Sequence, residues 1–182
     1  IMWVYALKDY QKKRVMNFIN PLADIRGSGY NAYQSTIAIG SGQILGKGIG
    51  YGTQSKLKFL PEYRSDFIFS TFAEEWGLVG VVLLFTIFGI FIWRIISNAY
   101  YGATNFEILF GLGLAILFMS HFFVNVGMSM GLMPVTGITL PFMSYGGTNL
   151  LSSFTGLGIL MGMRRYRRDA HKDTIKNEFL GL

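Results

Sequence analysis

The chain has 182 residues, 51% of them hydrophobic and 14% charged, with a mean hydropathy of +0.39. A soluble domain carries roughly 25% charged residues, so this composition excludes an ordinary soluble domain and describes a polytopic membrane protein. The absence of cysteine excludes disulfides, thiolate catalysis and cysteine-rich metal sites, and the net charge of +6 suits anionic lipid better than nucleic acid, because the aromatic residues lie in apolar runs and not among basic ones.

The first residues, IMWVYAL, give way to Lys8 after too short a run to cross a bilayer or to form the apolar core of a signal peptide. Residues 1–7 therefore read as the end of a transmembrane helix, and the chain as the C-terminal fragment of something longer. Residues 8–65 form a polar segment, glycine-rich in its second half. There Lys8, Lys12, Lys13, Arg14, Arg26, Lys47, Lys56, Lys58 and Arg64 outnumber Asp9, Asp24 and Glu62. A connection of this length is expected to fold, at least in part, on the membrane surface. Within it YNAYQSTIAI (30–39) reads as a short helix ended by Gly40 and Gly42. The run GSGQILGKGIGYG (40–52) invites a phosphate-loop reading, but Lys47 is followed by Gly48 where a hydroxyl is needed, and flexible turns are the better account.

A first span is expected over 76–96, with 66–75 as an N-terminal extension. A straight helix over both would be ~46 Å long against a hydrocarbon core of ~30 Å, so the extension must protrude, kink or tilt. A polar turn over 97–105 leads to a second span over 106–127. The stretch 128–149 carries Pro134, Pro141 and Gly146-Gly147, and reads as a re-entrant or membrane-surface turn buried against protein. A third span, 150–163, precedes a basic tail, 164–182, with Arg164, Arg165, Arg167, Arg168, Lys172 and Lys176. Three spans put the tail and the basic loop on opposite sides, and the denser tail takes the cytoplasm. The fold expected is thus an all-α polytopic membrane protein: the end of one transmembrane helix, a large extracytoplasmic loop, then three transmembrane helices. Positive charge on the outer side, where it is disfavoured, points to an anionic ligand.

Glu62, Arg64, Asp66, Glu74 and Glu75 cluster where the polar segment meets the first span, at a depth where carboxylates are costly to bury and tend to be paired or used. Asp66, after Ser65 and before FIFSTF, reads by pattern alone as a helix N-cap. Glu74 and Glu75 read as snorkelling interfacial carboxylates, with gating or metal contact as the alternative. Lys56, Lys58 and Arg64 are ordinarily solvated charges, although crowded around one carboxylate at a membrane surface they could hold a pyrophosphate. His121, alone in a span, reads as an interhelical hydrogen-bond partner, and the GxxxG pairs Gly158/Gly162 and Gly127/Gly131 as close-packing sites.

The strings GKGIGYGTQSKLKFLPEYRSDFIFSTFAEEWGLVG and NVGMSMGLMPVTGITLPFMSYGGTNLL together resemble the SEDS family of bacterial cell-wall polymerases, the RodA, FtsW and SpoVE group. GTQS followed by FLPE is closer to the RodA branch. The resemblance implies a multi-pass protein of the bacterial cytoplasmic membrane, of which this chain matches the C-terminal part, from the end of the seventh helix through the tenth. It implies a peptidoglycan glycosyltransferase that polymerises lipid II for cell-wall elongation together with a class B penicillin-binding protein. The family's essential acid falls on Asp66, which raises that residue from N-cap to candidate general base. Lys56, Lys58, Glu62, Arg64, Glu74, Glu75, Ser144 and Tyr145 are the positions expected around the substrate. No cofactor is implied, although Glu62, Glu74 and Glu75 could ligate an optional divalent cation. Tyr63-Arg64-Ser65 and Thr148-Asn149 depart from the family's usual residues and bear on subfamily and fine specificity. The alternatives are a lipid II flippase, which needs a polar path that these spans supply only through His121, Asn125 and scattered hydroxyls, and a non-catalytic scaffold of the elongation or division complex.

Overall fold

The computed structural model describes residues 8–19, 28–53, 65–102 and 104–180, all of whose regular structure is helical. The helices are α1 (Asp9–Ile19), α2 (Ser28–Ser41), α3 (Ile68–Tyr100), α4 (Asn105–Ser129) and α5 (Gly147–Leu180). Lys56, Lys58, Glu62 and Arg64 lie outside the described residues, as does the expected helix end at 1–7. Two compact units result, one from Ile1–Thr86 with Ser120–Gly146 and one from Ile87–Met119 with Gly147–Leu182.

Local chemistry sets the helix ends. The Lys8 N–H donates to Gln11 Oε1 at 3.0 Å, half of a capping box at the start of α1. Thr104 Oγ1 accepts the Glu107 N–H at the start of α4. At the other end of α4, Gly131 takes φ 72° while its N–H bonds Met128 O and the Leu132 N–H bonds Gly127 O, a glycine-terminated reversal that satisfies the last carbonyls. Neither α1 nor the full length of α5 was foreseen. With no proline or glycine after Gly162 before Leu180, the helix carries on through the basic tail.

Among the described residues two helices, α3 and α4, are long and apolar enough to cross a membrane. α4 matches its expected span to within two residues at each end, while α3 takes in most of the expected extension and runs four residues past the expected end; at 33 residues it is about 50 Å long. The residues expected to form a third span, 150–163, lie in the first half of α5, where the apolar run is cut short by Arg164 and Arg165.

The excess length of α3 is resolved by a kink at Gly77 (φ 64°, ψ −164°). A break inside a helix frees carbonyls before it and amides after it, and in an apolar environment each freed group needs a partner. The glycine-rich turn after α2 meets four such groups: the Lys47 and Gly48 N–H groups donate to Glu74 O and Glu75 O at 3.0 Å, while Gln43 O and Ile44 O accept from Leu78 N at 3.0 Å and Val79 N at 3.1 Å. Backbone meets backbone so closely that a Cβ on Gly46 would stand 2.1 Å from Glu75 O, and one on Gly77 would stand 2.3 Å from Gly46 N. The expectation of flexible turns over 40–52 is therefore corrected. Gly46 and Gly77 serve both a close approach and a left-handed backbone, whereas a Cβ on Gly40 or Gly50 would meet nothing within 4 Å.

In the first unit Phe67, Phe69, Ala38, Met128 and Leu140 are all nearly inaccessible. Val135 closes over Ala38 and Phe67, and Ser35 Oγ donates to Ser129 O at 2.7 Å. The stretch 130–146 between α4 and α5 has no regular structure, yet Leu140, Pro141 and Ser144 in it are buried, as expected of a turn set against protein. In the second unit, Gly111 lies against Ala99 and Leu160, and Gly156 against Leu114. The small-residue contacts fall there and not at Gly158 or Gly162, where a Cβ would meet nothing within 4 Å.

Gly46→Ala or Gly77→Ala is expected to destabilise the full-length protein by about 2–4 kcal/mol, from left-handed backbone strain plus overlap with backbone atoms. Gly89→Ala and Gly113→Ala, whose Cβ atoms would meet nothing within 4 Å, are expected to be neutral or to gain up to about 1 kcal/mol from helix propensity. Melting midpoints in detergent check both pairs.

Candidate active site

Three consecutive residues of the irregular stretch, Thr136, Gly137 and Ile138, are each met by a different part of the chain. Arg14 Nη1 of α1 donates to Thr136 O at 2.8 Å. Gly137, at φ 79°, faces the acid: a Cβ there would lie 3.5 Å from Asp66 Oδ2. Asn125 Nδ2 of α4 donates both to Ile138 O at 2.8 Å and to the backbone carbonyl of Asp66 at 2.9 Å. Because two carbonyl oxygens converge on one end of the amide, that end is the NH₂ group, which settles the orientation of the side chain.

Asp66 stands two residues ahead of α3, in the turn that leads into it, and is half-buried. Its main chain is tied through Asn125 while its carboxylate lies at the position where Gly137 offers no side chain. A half-exposed carboxylate on a fixed backbone can exchange protons with a bound group and still hold its place.

Glu74 answers differently to the sequence expectation. Its side chain is 0% exposed, and its Oε1 accepts from Lys47 Nζ at 2.8 Å, the Thr53 N–H at 2.8 Å, Thr53 Oγ1 at 2.9 Å and Ser41 Oγ at 3.4 Å. It fastens the glycine-rich turn and Thr53 to α3 beside the kink, and has no surface to present to a substrate. Ser144 is likewise turned inward: its Oγ accepts the Leu140 N–H at 2.7 Å and its own N–H returns to Leu140 O, closing the turn after Pro141. Glu75 is half-buried at the kink and Tyr145 is 83% exposed. Among the described residues no three carboxylates or imidazoles gather into a metal-ligand set.

Sequence reading missed two of these residues as site components. Asn125, an amide fully buried in an apolar helix, carried a usable signal, because polar side chains in such helices tend to be bonded to something specific. Arg14 carried none, being one cation among many in a basic segment.

Among the described residues, all-α structure with two apolar helices of spanning length, and an acid set against an irregular stretch between helices, defines a class of helical membrane protein. The model of the FtsW, RodA and SpoVE cell cycle proteins matches residues 1–169, and the chain belongs to that family. It is 44% identical over 168 residues to the peptidoglycan glycosyltransferase MrdB of Escherichia coli K12, covering 92% of this chain and 45% of MrdB. It is 42% identical over 163 residues to the peptidoglycan glycosyltransferase RodA of Treponema pallidum, covering 90% of this chain and 38% of that protein. A chain of a peptidoglycan synthase complex, in which polymerization and crosslinking are coordinated, superposes with a TM-score of 0.68 at 33% identity, covering 91% of this chain and 44% of its own. The chain thus spans less than half the length of these relatives.

Lys47→Met is expected to destabilise more than Glu74→Gln. Removing the ammonium takes the Lys47 counter-charge from a carboxylate at 0% exposure, at about 3 kcal/mol. In Glu74→Gln the side-chain amide oxygen would still accept from Thr53, and Lys47, 28% exposed, can turn to water, so that change costs about 1–2 kcal/mol. Chemical unfolding of the two variants in the full-length protein gives the order, and the reverse order would remove the ion pair as the fastening of the loop.

Proposed function

We propose that the protein to which this chain belongs is a peptidoglycan glycosyltransferase that polymerises lipid II for cell-wall elongation, with Asp66 as general base. Membership of the family and the identity to MrdB support the reaction class. The observation that carries the assignment of Asp66 is its setting: a half-buried carboxylate beside Gly137 with its own carbonyl fixed by Asn125.

The reaction joins the 4-hydroxyl of an acceptor sugar to the anomeric carbon of a donor. The bond to the lipid pyrophosphate breaks as the new C–O bond forms, and the hydroxyl proton passes to the Asp66 carboxylate. A sugar hydroxyl is a poor nucleophile at neutral pH, and a positioned base contributes ~10²- to 10⁴-fold. With an α-linked donor and a β-linked product, one inverting displacement suffices and no second catalytic carboxylate is required. The departing pyrophosphate gathers negative charge, which cations held near it stabilise most in the transition state. Lys56, Lys58 and Arg64 are assigned that role because they precede Asp66 closely in the chain. Of the remaining sequence candidates, Glu75 and Tyr145 keep accessible surface and stay as substrate contacts, whereas Glu74 and Ser144 act through the fold.

In this reading the chain lies in the bacterial cytoplasmic membrane. Residues 8–65 face outward, the first half of α5 completes a third crossing, the basic tail is cytoplasmic, and a class B penicillin-binding protein is the partner. The long apolar helices α3 and α4 and the arginines that follow the apolar part of α5 support that placement.

Polymerisation of labelled lipid II by the full-length protein with its penicillin-binding partner tests the assignment. Asp66→Asn is expected to lower the rate by about 10²- to 10⁴-fold while lipid II binding is retained. Undiminished glycan synthesis would sink the general base, and vesicle translocation of lipid II without polymer from the wild-type protein would favour a flippase.

A further inference from the structure

Asn125 is 0% exposed, yet its Oδ1 has no hydrogen-bond partner among the described residues. Such an orphan acceptor is a cost, since a buried polar atom loses its bonds to water and gains nothing in return. What the residue gains lies at the other end of the amide, where both N–H groups are used, one on Asp66 O and one on Ile138 O. These two carbonyls belong to segments far apart in the sequence, the turn leading into α3 and the irregular stretch 130–146. Each sits at the residue that matters for the acid: one is Asp66 itself, and the other follows Gly137, the residue that faces the Asp66 carboxylate. A side chain chosen for stability alone would not leave its second polar atom stranded, and local violations of this sort are most often kept where geometry is needed.

We infer that Asn125 is a positioning residue. Its amide bridges Asp66 O to Ile138 O and thereby sets the height and direction of the Asp66 carboxylate over Gly137. The inference rests on the reading of Asp66 as general base. Without the bridge the turn leading into α3 and residues 136–138 are free to separate, and the carboxylate no longer meets the acceptor hydroxyl at transfer distance. Ground-state binding of the lipid-linked sugar, made elsewhere, is left in place. A displacement of the order of 1 Å in a reacting group costs about 10²-fold in rate.

The test uses the full-length protein with its penicillin-binding partner and labelled lipid II, with kcat and KM determined separately. Asn125→Leu, which removes both donors at similar volume, is expected to lower kcat by about 10²-fold and leave KM within about twofold. Asn125→Gln, which keeps the NH₂ group on a longer arm, is expected to recover part of the loss. Ser129→Ala removes a buried hydroxyl one turn along α4, which also lacks a partner among the described residues, and is expected to leave both constants unchanged. Wild-type kcat in Asn125→Leu overturns the inference. So does a fall in kcat matched by a fall in folded fraction in both Asn125 variants, or an equal loss in Ser129→Ala, since each would mark a packing role. Asp66→Asn assayed in parallel separates the two levels. If it still polymerises, the general base is wrong. If it is inactive while Asn125→Leu is normal, only the positioning role falls.

Discussion

A helix broken in an apolar setting must find partners for the backbone groups it releases, and the rest of the first unit follows from how that is done at Gly77. Four released groups are met by residues 43–48, in two pairs that bracket the break. This repair needs backbone on both sides, because no side chain reaches four groups in so small a space. Glycine at 46 and 77 is the consequence, since any Cβ would enter the other strand of the joint. The repair also fixes the loop. Once Lys47 and Gly48 are bonded to α3, the Lys47 ammonium falls beside Glu74, and Thr53 closes over the same carboxylate.

The acid depends on a second joint of the same kind. The irregular stretch between α4 and α5 also carries carbonyls that regular structure leaves unmet, and here the donors are side chains: Arg14 for Thr136 and Asn125 for Ile138. Because Asn125 serves Asp66 with its second N–H, the stretch and the turn leading into α3 are held as one piece. A reacting carboxylate gains from such support, since rate depends on fractions of an ångström and a side chain is only as well placed as its backbone. The two joints thus divide the carboxylates. Glu74 is spent on holding the fold, whereas Asp66 is fixed through its backbone carbonyl and stays half-buried.

Much of this architecture was legible in the chain. The apolar runs that became α3 and α4, an excess length that had to protrude, kink or tilt, and the short helix before Gly42 follow from hydropathy, length and glycine placement. The strings around Asp66 and Pro141 pointed to the family, and through it to the acid. Asp66 as a residue of interest came from that likeness, for by pattern alone it reads as an N-cap. Misread were the glycine run, taken as loose turns, and Glu74 and Ser144, taken as substrate contacts. In each case the local sequence is polar or small and solvent is the natural guess; for Gly46 and Glu74 the partner lies elsewhere in the chain, Glu75 and Gly77 for the one and Lys47 and Thr53 for the other, while Ser144 is claimed by Leu140 within its own turn.

Sequence alone determined that the runs that became α3 and α4 are helical and apolar and that the first of them is too long to cross a bilayer straight, because these depend on composition and on spacing along a few turns. Tertiary structure alone decided what repairs the bend, which carboxylate faces inward, and which side chain ties the acid to the stretch beside it. The reason is physical. A hydrogen-bonding group left open by a kink or an irregular loop can be counted from the sequence, but the donor or acceptor that closes it is chosen by whatever folding brings within about 3 Å, and for Gly77 and Asp66 that partner comes from a distant part of the chain.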